Sequence, residues 1–226
     1  FLFKDKIKEM VVQTINDNVD ATVSFEEVDL SLIKSFPRAN VSIKELSIIN
    51  KAPFAGDTLF YSGELNLKMG IMEIFKGANE PMSIESFSSK NGRVNILFNK
   101  DGIGNFDIAL KNQEPTPEDT ADSKPFALSI KNYEIENWKF VYFDQRSKMK
   151  VVIDQLNHHG SGDMAASQLD LDTETSANLT FIMDQTNFMN NVPLRLDAVL
   201  GMDLEKGKYT FKENKATINQ LELEFD

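Results

Sequence analysis

The segment Val41-Ser42-Ile43-Lys44-Glu45-Leu46-Ser47-Ile48 alternates apolar and polar side chains with one interruption, and the chain repeats the arrangement. Residues 23–30, 82–87 and 128–135 have the same form, and residues 151–156 and 216–223 are looser copies. The unit is apolar, polar, apolar, two polar, apolar, polar, apolar. A period of two marks a strand with one buried face. The doubled polar pair would turn every later side chain to the wrong face unless a β-bulge absorbs the extra residue. Bulges bend strands, so the pattern predicts a row of bent strands that share one apolar face in a curved sheet.

Taken in order, the chain opens with a different period. Phe3, Ile7, Val11 and Ile15 recur every four residues, with Lys4, Lys6, Lys8 and Glu9 opposite, which predicts an amphipathic helix over residues 1 to about 18. Such a helix either plugs the end of the sheet or continues a membrane anchor. Strands are predicted at 22–33, 40–50, 58–67, 81–87, 93–98, 126–142, 148–158, 168–172, 176–183, 193–203, 208–212 and 215–225. Met69–Phe75 reads as a helical turn stopped by Gly77. Asn99-Lys100-Asp101-Gly102-Ile103-Gly104-Asn105 is the best hairpin signal, with a strand resuming at Phe106, Ile108 and Leu110. Further turns are expected at 159–162, 187–191 and 205–208. Residues 111–124 carry almost no apolar side chain and read as an acidic loop or linker. No long helical period interrupts the second half, so crossover helices are missing and the expected sheet is antiparallel.

Composition narrows the function. The chain of 226 residues is 41% hydrophobic and 26% charged, enough apolar material for a core. Its apolar bulk comes from 17 Phe against 4 Tyr and 1 Trp, which suits a dry surface. A net charge of −11 argues against nucleic acid and against electrostatic docking on anionic headgroups. The absence of cysteine excludes disulfides, thiol catalysis and cysteine-ligated metal. No run of about 20 apolar residues occurs that would span a bilayer as a helix. The chain begins at Phe1-Leu2-Phe3 without Met and stops inside the alternating segment 221–225, the expected look of a fragment whose anchor or signal segment has been omitted.

Candidate chemistry is sparse. His158 and His159 are adjacent and would face opposite sides of a strand, so both could bind one metal only in a distorted turn. Asn99–Asp107 lacks the spacing of a calcium loop. No nucleophile elbow, phosphate loop or dinucleotide fingerprint is present. Asp170, Asp172 and Glu174 would share one strand face, as a solvated face does. No catalytic residue, metal site or cofactor is expected.

Several phrases are similar to the AsmA family of diderm bacteria, particularly its Bacteroidota-type members. They are Val28-Asp29-Leu30-Ser31-Leu32 with Phe36-Pro37, then Val41–Ile48, then Gly56-Asp57-Thr58-Leu59 with Glu64-Leu65-Asn66-Leu67. Gly92-Arg93-Val94-Asn95-Ile96 follows, and Asp101-Gly102-Ile103-Gly104-Asn105-Phe106 resembles the family's Asp-Gly-x-x-Asn-aromatic turn. These phrases cover roughly residues 1–110, and the rest resembles a continuation of the same repeating sheet. The resemblance implies a mainly β protein with an N-terminal α-helix, its elongated antiparallel sheet folded lengthwise into a chorein-like groove. The organisation expected is a helix at 1–20 after an omitted anchor, a first AsmA-like β region at 21–110, a linker or loop at 111–125, and a continuing groove at 126–226 that is cut short.

An open apolar face can be covered by its own curling, by a partner or by acyl chains. Burying a methylene contributes about 0.8 kcal/mol, so a trough lined by Phe, Ile and Leu could hold an acyl chain without specific polar contacts. Val23, Phe25, Val41, Ile43, Met82, Ile84, Leu128 and Ile130 are the expected trough-lining residues, although ordinary core packing would use the same positions. The function expected is non-enzymatic: binding or transfer of phospholipid or another acyl-chain lipid in the periplasm, for outer-membrane biogenesis. The full-length protein would be anchored to the inner membrane. Two alternatives stay open, a scaffold that pairs its strand edges with outer-membrane assembly partners, and a glycan-binding β-sandwich.

Overall fold

The computed structural model describes residues 19–32, 37–75, 83–108, 130–163, 166–203 and 206–225. Its strands are β1 Ala21–Ser24, β2 Glu27–Ser31, β3 Arg38–Asn50, β4 Thr58–Gly70, β5 Ile84–Phe98, β6 Asn132–Asp144, β7 Met149–Ser161, β8 Gln168–Met183, β9 Thr186–Asp203, β10 Lys208–Ile218 and β11 Leu221–Phe225. A 3-10 turn, Ile71–Phe75, follows β4 where the sequence predicts a helical turn. All eleven strands join one open sheet, in the order β1-β3-β4-β5-β6-β7-β8-β9-β10-β11, with β2 also pairing β3. The predicted helix lies, through residue 18, outside the described residues, as do residues 111–125, Met82 and Leu128.

One pairing corrects the expectation of an antiparallel sheet. β5 and β6 run parallel, with Phe87 beside Tyr133 and Val94 beside Phe140. Alternation reports which face a side chain takes and is blind to strand direction. Residues 99–131 return the chain to the starting end of β5, and a connection of that length allows a parallel neighbour where a tight hairpin would not. The Asn99–Asn105 signal accordingly makes a turn but no long hairpin, closing in an isolated bridge between Phe98 and Gly104. Asn99 Oδ1 accepts from the N–H groups of Asp101 and Ile103, each at 2.9 Å, and Gly102 supplies φ +81°.

The doubled polar pairs resolve the parity problem in four ways. In β3, β5, β6, β7, β9 and β10 a residue of such a pair or immediately after it sits in a left-handed conformation: Glu45, Asn91, Asn137, Gln155, Asn191 and Glu213, with φ between 49° and 55°. A residue in that region shifts the side chains after it back onto the original face. Elsewhere in β5, Glu85 is the extra residue where the register slips between Lys68 and Met69 of β4. Glu26-Glu27 marks the break between β1 and β2 instead. Asn219-Gln220, read from sequence as another bulge, is the two-residue turn between β10 and β11, with Ile218 paired to Leu221. A bulge and a two-residue turn both preserve the apolar face, so the same pattern permits either.

Three of the left-handed residues line up, with Gly63 between the first two. Register places Glu45 opposite Gly63, Gly63 opposite Asn91, and Asn91 beside Asn137. Asn137 Nδ2 donates to Asn91 Oδ1 at 2.7 Å, and the Asn137 N–H donates to Asn157 Oδ1 at 2.9 Å. Asn157 Nδ2 reaches the Gln155 carbonyl at 3.1 Å, and Asn178 Nδ2 reaches Gln155 Oε1 at 2.8 Å. Amide side chains thus tie a transverse line of bulges together from β5 to β8.

The packed core sits at the β2–β5 end. Val28, Ala39, Val41, Ile43, Leu46 and Met69 are buried together, with Val23, Phe25, Leu30, Leu32, Phe60, Leu65, Leu67 and Ile84 packed against them. A buried amide closes the upper margin. Asn105 Nδ2 donates to the Asn95 carbonyl at 2.8 Å and to Asn50 Oδ1 at 3.2 Å, while its Oδ1 accepts the Leu97 N–H at 2.8 Å. Asn50 Nδ2 answers by donating to the Asn105 carbonyl at 2.6 Å.

Candidate functional site

Following register from strand to strand assigns each side chain to a face. One face from β4 to β11 is apolar almost throughout. Across β5 to β9 its rows run Val94, Phe140, Ile153, Leu179 and Val192, then Ile96, Tyr142, Val151, Phe181 and Met189. It continues onto β10 and β11 through Ala216 with Leu223 and Ile218 with Leu221. The opposite face carries Lys90, Glu136, Lys139, Asp154, Glu174, Arg195 and Asp197 among others, several of them joined in exposed pairs such as Lys90–Glu136 at 2.5 Å and Lys139–Asp154 at 2.9 Å. Asp170 pairs with Lys212 there at 2.6 Å, so the acidic trio of β8 belongs to a solvated face.

The apolar face is not sealed. Beyond the β2–β5 core, most of its large side chains are half-buried, and at the β11 edge Leu221, Leu223 and Phe225 are 60%, 39% and 43% exposed. Trp138 is an exception, buried over Gly92, with its ring edge-to-face on Phe60 at 5.4 Å and Nε1 donating to the Ser89 carbonyl at 3.3 Å.

The face divides at the line of bulges. Toward Phe98 and Met149 its rows hold carbon side chains almost alone. Immediately on the other side, hydroxyl and imidazole groups enter it: Ser89, Tyr133, His158, Thr173 and Thr175. Ser62 and Ser89, both buried, share a hydrogen bond of 2.7 Å. Tyr133 stacks on Phe87 at 5.4 Å and lies flat over Gly160, where a Cβ would stand 2.5 Å from the ring. That open position lets its hydroxyl reach His158 Nε2 at 2.8 Å, and His158 Nδ1 meets Thr175 Oγ1 at 2.8 Å. Burial, with a smaller push from His159, holds the His158 imidazole below the usual histidine range. Burial likewise raises the Tyr133 phenol, so both groups are neutral at pH 7. His159 points to the other face, 3.6 Å from Glu174.

The described residues among those named from sequence, all but Met82 and Leu128, fall at one end of this surface. Val41 and Ile43 are buried inside the packed cluster, and Val23, Phe25 and Ile84 pack against it. Ile130 is buried at the entrance to β6. The half-open stretch is built by β5 to β11 instead, whose alternation was visible but whose lining residues were not singled out. Among the described residues no three His, Asp or Glu side chains converge to hold a metal ion. No helix among them is long and apolar enough to cross a membrane. No family model, curated protein or solved structure matches the chain.

Proposed function

We propose that this chain is a non-enzymatic lipid-binding or lipid-transfer protein, whose sheet folds lengthwise into a trough that holds acyl chains on the apolar face. The observation that carries the reading is the half-open apolar face running from β5 to β11 without a formal charge in its interior. Every pair of half-buried methylenes there would gain about 0.8 kcal/mol from being covered fully, half of the roughly 0.8 kcal/mol that each contributes on complete burial. An acyl chain covers such a surface without needing polar partners. The bulge line supports a trough, because bulges increase bend and twist locally. In keeping with the resemblance to the AsmA family, the proposal includes a periplasmic setting in a diderm bacterium, with the full-length protein anchored to the inner membrane and serving outer-membrane biogenesis.

The test is native mass spectrometry of protein made in a diderm host, followed by lipid extraction. Phospholipid is expected on the wild-type chain and absent from Phe140→Glu/Leu196→Glu with far-UV circular dichroism unchanged. Wild-type protein free of lipid, and unable to take up a fluorescent acyl chain, would overturn the reading. The exposed edge of β11 favours a second one, a scaffold that pairs with a partner strand. A single sheet gives little support to a glycan-binding sandwich.

A further inference from the structure

We infer that Tyr133, His158 and Thr175 form a hydrogen-bonding station on the apolar face that receives the ester carbonyl of a bound glycerolipid and so fixes which way the lipid lies. The inference rests on the lipid-binding reading and adds orientation and ligand chemistry to it.

Proton counting gives the station a donor to offer. A neutral imidazole has one N–H and one lone pair, and both ring nitrogens of His158 are engaged at 2.8 Å. One hydroxyl therefore donates to the ring and the other accepts from it. The accepting hydroxyl, Thr175 in one tautomer and Tyr133 in the other, keeps its own O–H for a further acceptor. Such a group within an apolar surface gains most from an oxygen that arrives with an apolar ligand.

The surroundings select the kind of oxygen. His158 is held neutral by burial. Among the described residues of β4 to β11, this face carries a formal charge only at Asp144, nine residues along β6 from Ile135 and in hydrogen-bond contact with the Arg146 N–H. A carboxylate placed beside His158 would lose water and gain no cation, which is costly. A neutral ester carbonyl needs only the O–H. Position agrees with this: Ser89, Tyr133, His158, Thr173 and Thr175 lie together on one side of the bulge line, while the rows beyond it from Trp138 to Met149 are largely carbon. From His158 to Met149, at about 3.3 Å per residue, the strip runs roughly 30 Å. One acyl chain spans about 15 Å, half of a bilayer's hydrocarbon core of about 30 Å. The chain thus fits with its ester at His158 and its tail toward Met149.

Binding of three probes to the purified chain at pH 8 separates the possibilities: parinaric acid methyl ester, parinaric acid, and diphenylhexatriene, a hydrocarbon with no oxygen. The wild type is expected to bind the ester more tightly than the free acid. Tyr133→Phe, Thr175→Val and His158→Leu should weaken the ester about two- to tenfold, the worth of one hydrogen bond, and leave diphenylhexatriene within about twofold. The first two substitutions are nearly isosteric and guard against a folding artefact in the third. Ester affinity unchanged in all three variants overturns the station, as does an equal loss for ester and hydrocarbon. Preference for the free acid overturns the ester assignment. If the wild type binds none of the probes, the lipid-binding reading itself fails.

Discussion

Replacing Gly92 by Ala perturbs the bulge line at its tightest contact. An added Cβ would stand 2.1 Å from Trp138 Cε2 and 2.5 Å from two more ring atoms, far inside van der Waals contact. Gly92 has no positive φ that would penalise a side chain, so the substitution is decided by space. A Gly→Ala change in a strand would by itself help by about 0.5–1 kcal/mol. Against that stands overpacking at about 1–3 kcal/mol. Expelling the ring also forfeits its hydrogen bond to the Ser89 carbonyl, about 0.5–1.5 kcal/mol, and its edge-to-face contact with Phe60, about the same. The balance is a net loss of about 3 kcal/mol. Urea unfolding followed by far-UV circular dichroism and by Trp138 emission, the chain's sole tryptophan, reads it directly. With a denaturant slope of about 3 kcal/mol per molar, the midpoint should fall by about 1 M. The double variant Gly92→Ala/Trp138→Leu should lose well under the sum of the two single losses, since the clash needs both partners. Stability of Gly92→Ala within about 0.5 kcal/mol of wild type would refute this packing and, with it, the position of Trp138 on the apolar face.

Other expectations use the same physics. Asn105→Ala removes a buried amide that serves Leu97, Asn95 and Asn50, and should cost about 3 kcal/mol in urea unfolding by stranding at least two buried partners. Asn137→Val forces a β-branched residue to φ 53° and breaks the bond to Asn91, with an expected loss of about 2–3 kcal/mol, whereas Asn137→Gly should lose less than about 1 kcal/mol. For pH, the folded pKa of His158 lies below the ordinary value of about 6.5, so the unfolded chain binds the proton first. Stability should therefore be full above about pH 6.5 and decline as the pH falls from there toward the folded pKa. Urea midpoints between pH 8 and 5 should show that decline, reduced in His158→Gln.

Much of the sheet is readable because parity is written into side-chain chemistry. Lys44-Glu45 and Asp154-Gln155 announce bulges, and the strands around them appear where alternation places them. Parallel pairing of β5 with β6 was not readable, since alternation carries no direction. Two long strands were each divided in the sequence reading, at Ser88–Gly92 and at Thr173–Thr175, because small or polar residues interrupt the apolar series. In the folded sheet those interruptions are where neighbouring strands supply the bulk: the Trp138 ring fills the space above Gly92, and His158 bonds to Thr175. Gly160 misled in the same way. Read as part of a turn, it lies within β7 because Tyr133 takes the place of its missing side chain. The polar station was hidden for a related reason, since its three members come from three strands and meet only through register. Of the residues chosen to line a trough, Val23, Phe25, Val41, Ile43 and Ile84 came from clear repeats that pack closely at the β2–β5 end.

Trp138 faces the surface on which acyl chains are proposed to lie, so its emission reports on them directly. Purified, delipidated protein would be titrated with phosphatidylethanolamine brominated along its acyl chains and, in parallel, with the unbrominated lipid. Bromine quenches indole only at short range. The account predicts saturable quenching by the brominated lipid alone, reversed by excess unbrominated lipid and lost in Phe140→Glu/Leu196→Glu. Lipid binding demonstrated by co-sedimentation with Trp138 emission unchanged, or no binding of either lipid, would contradict it.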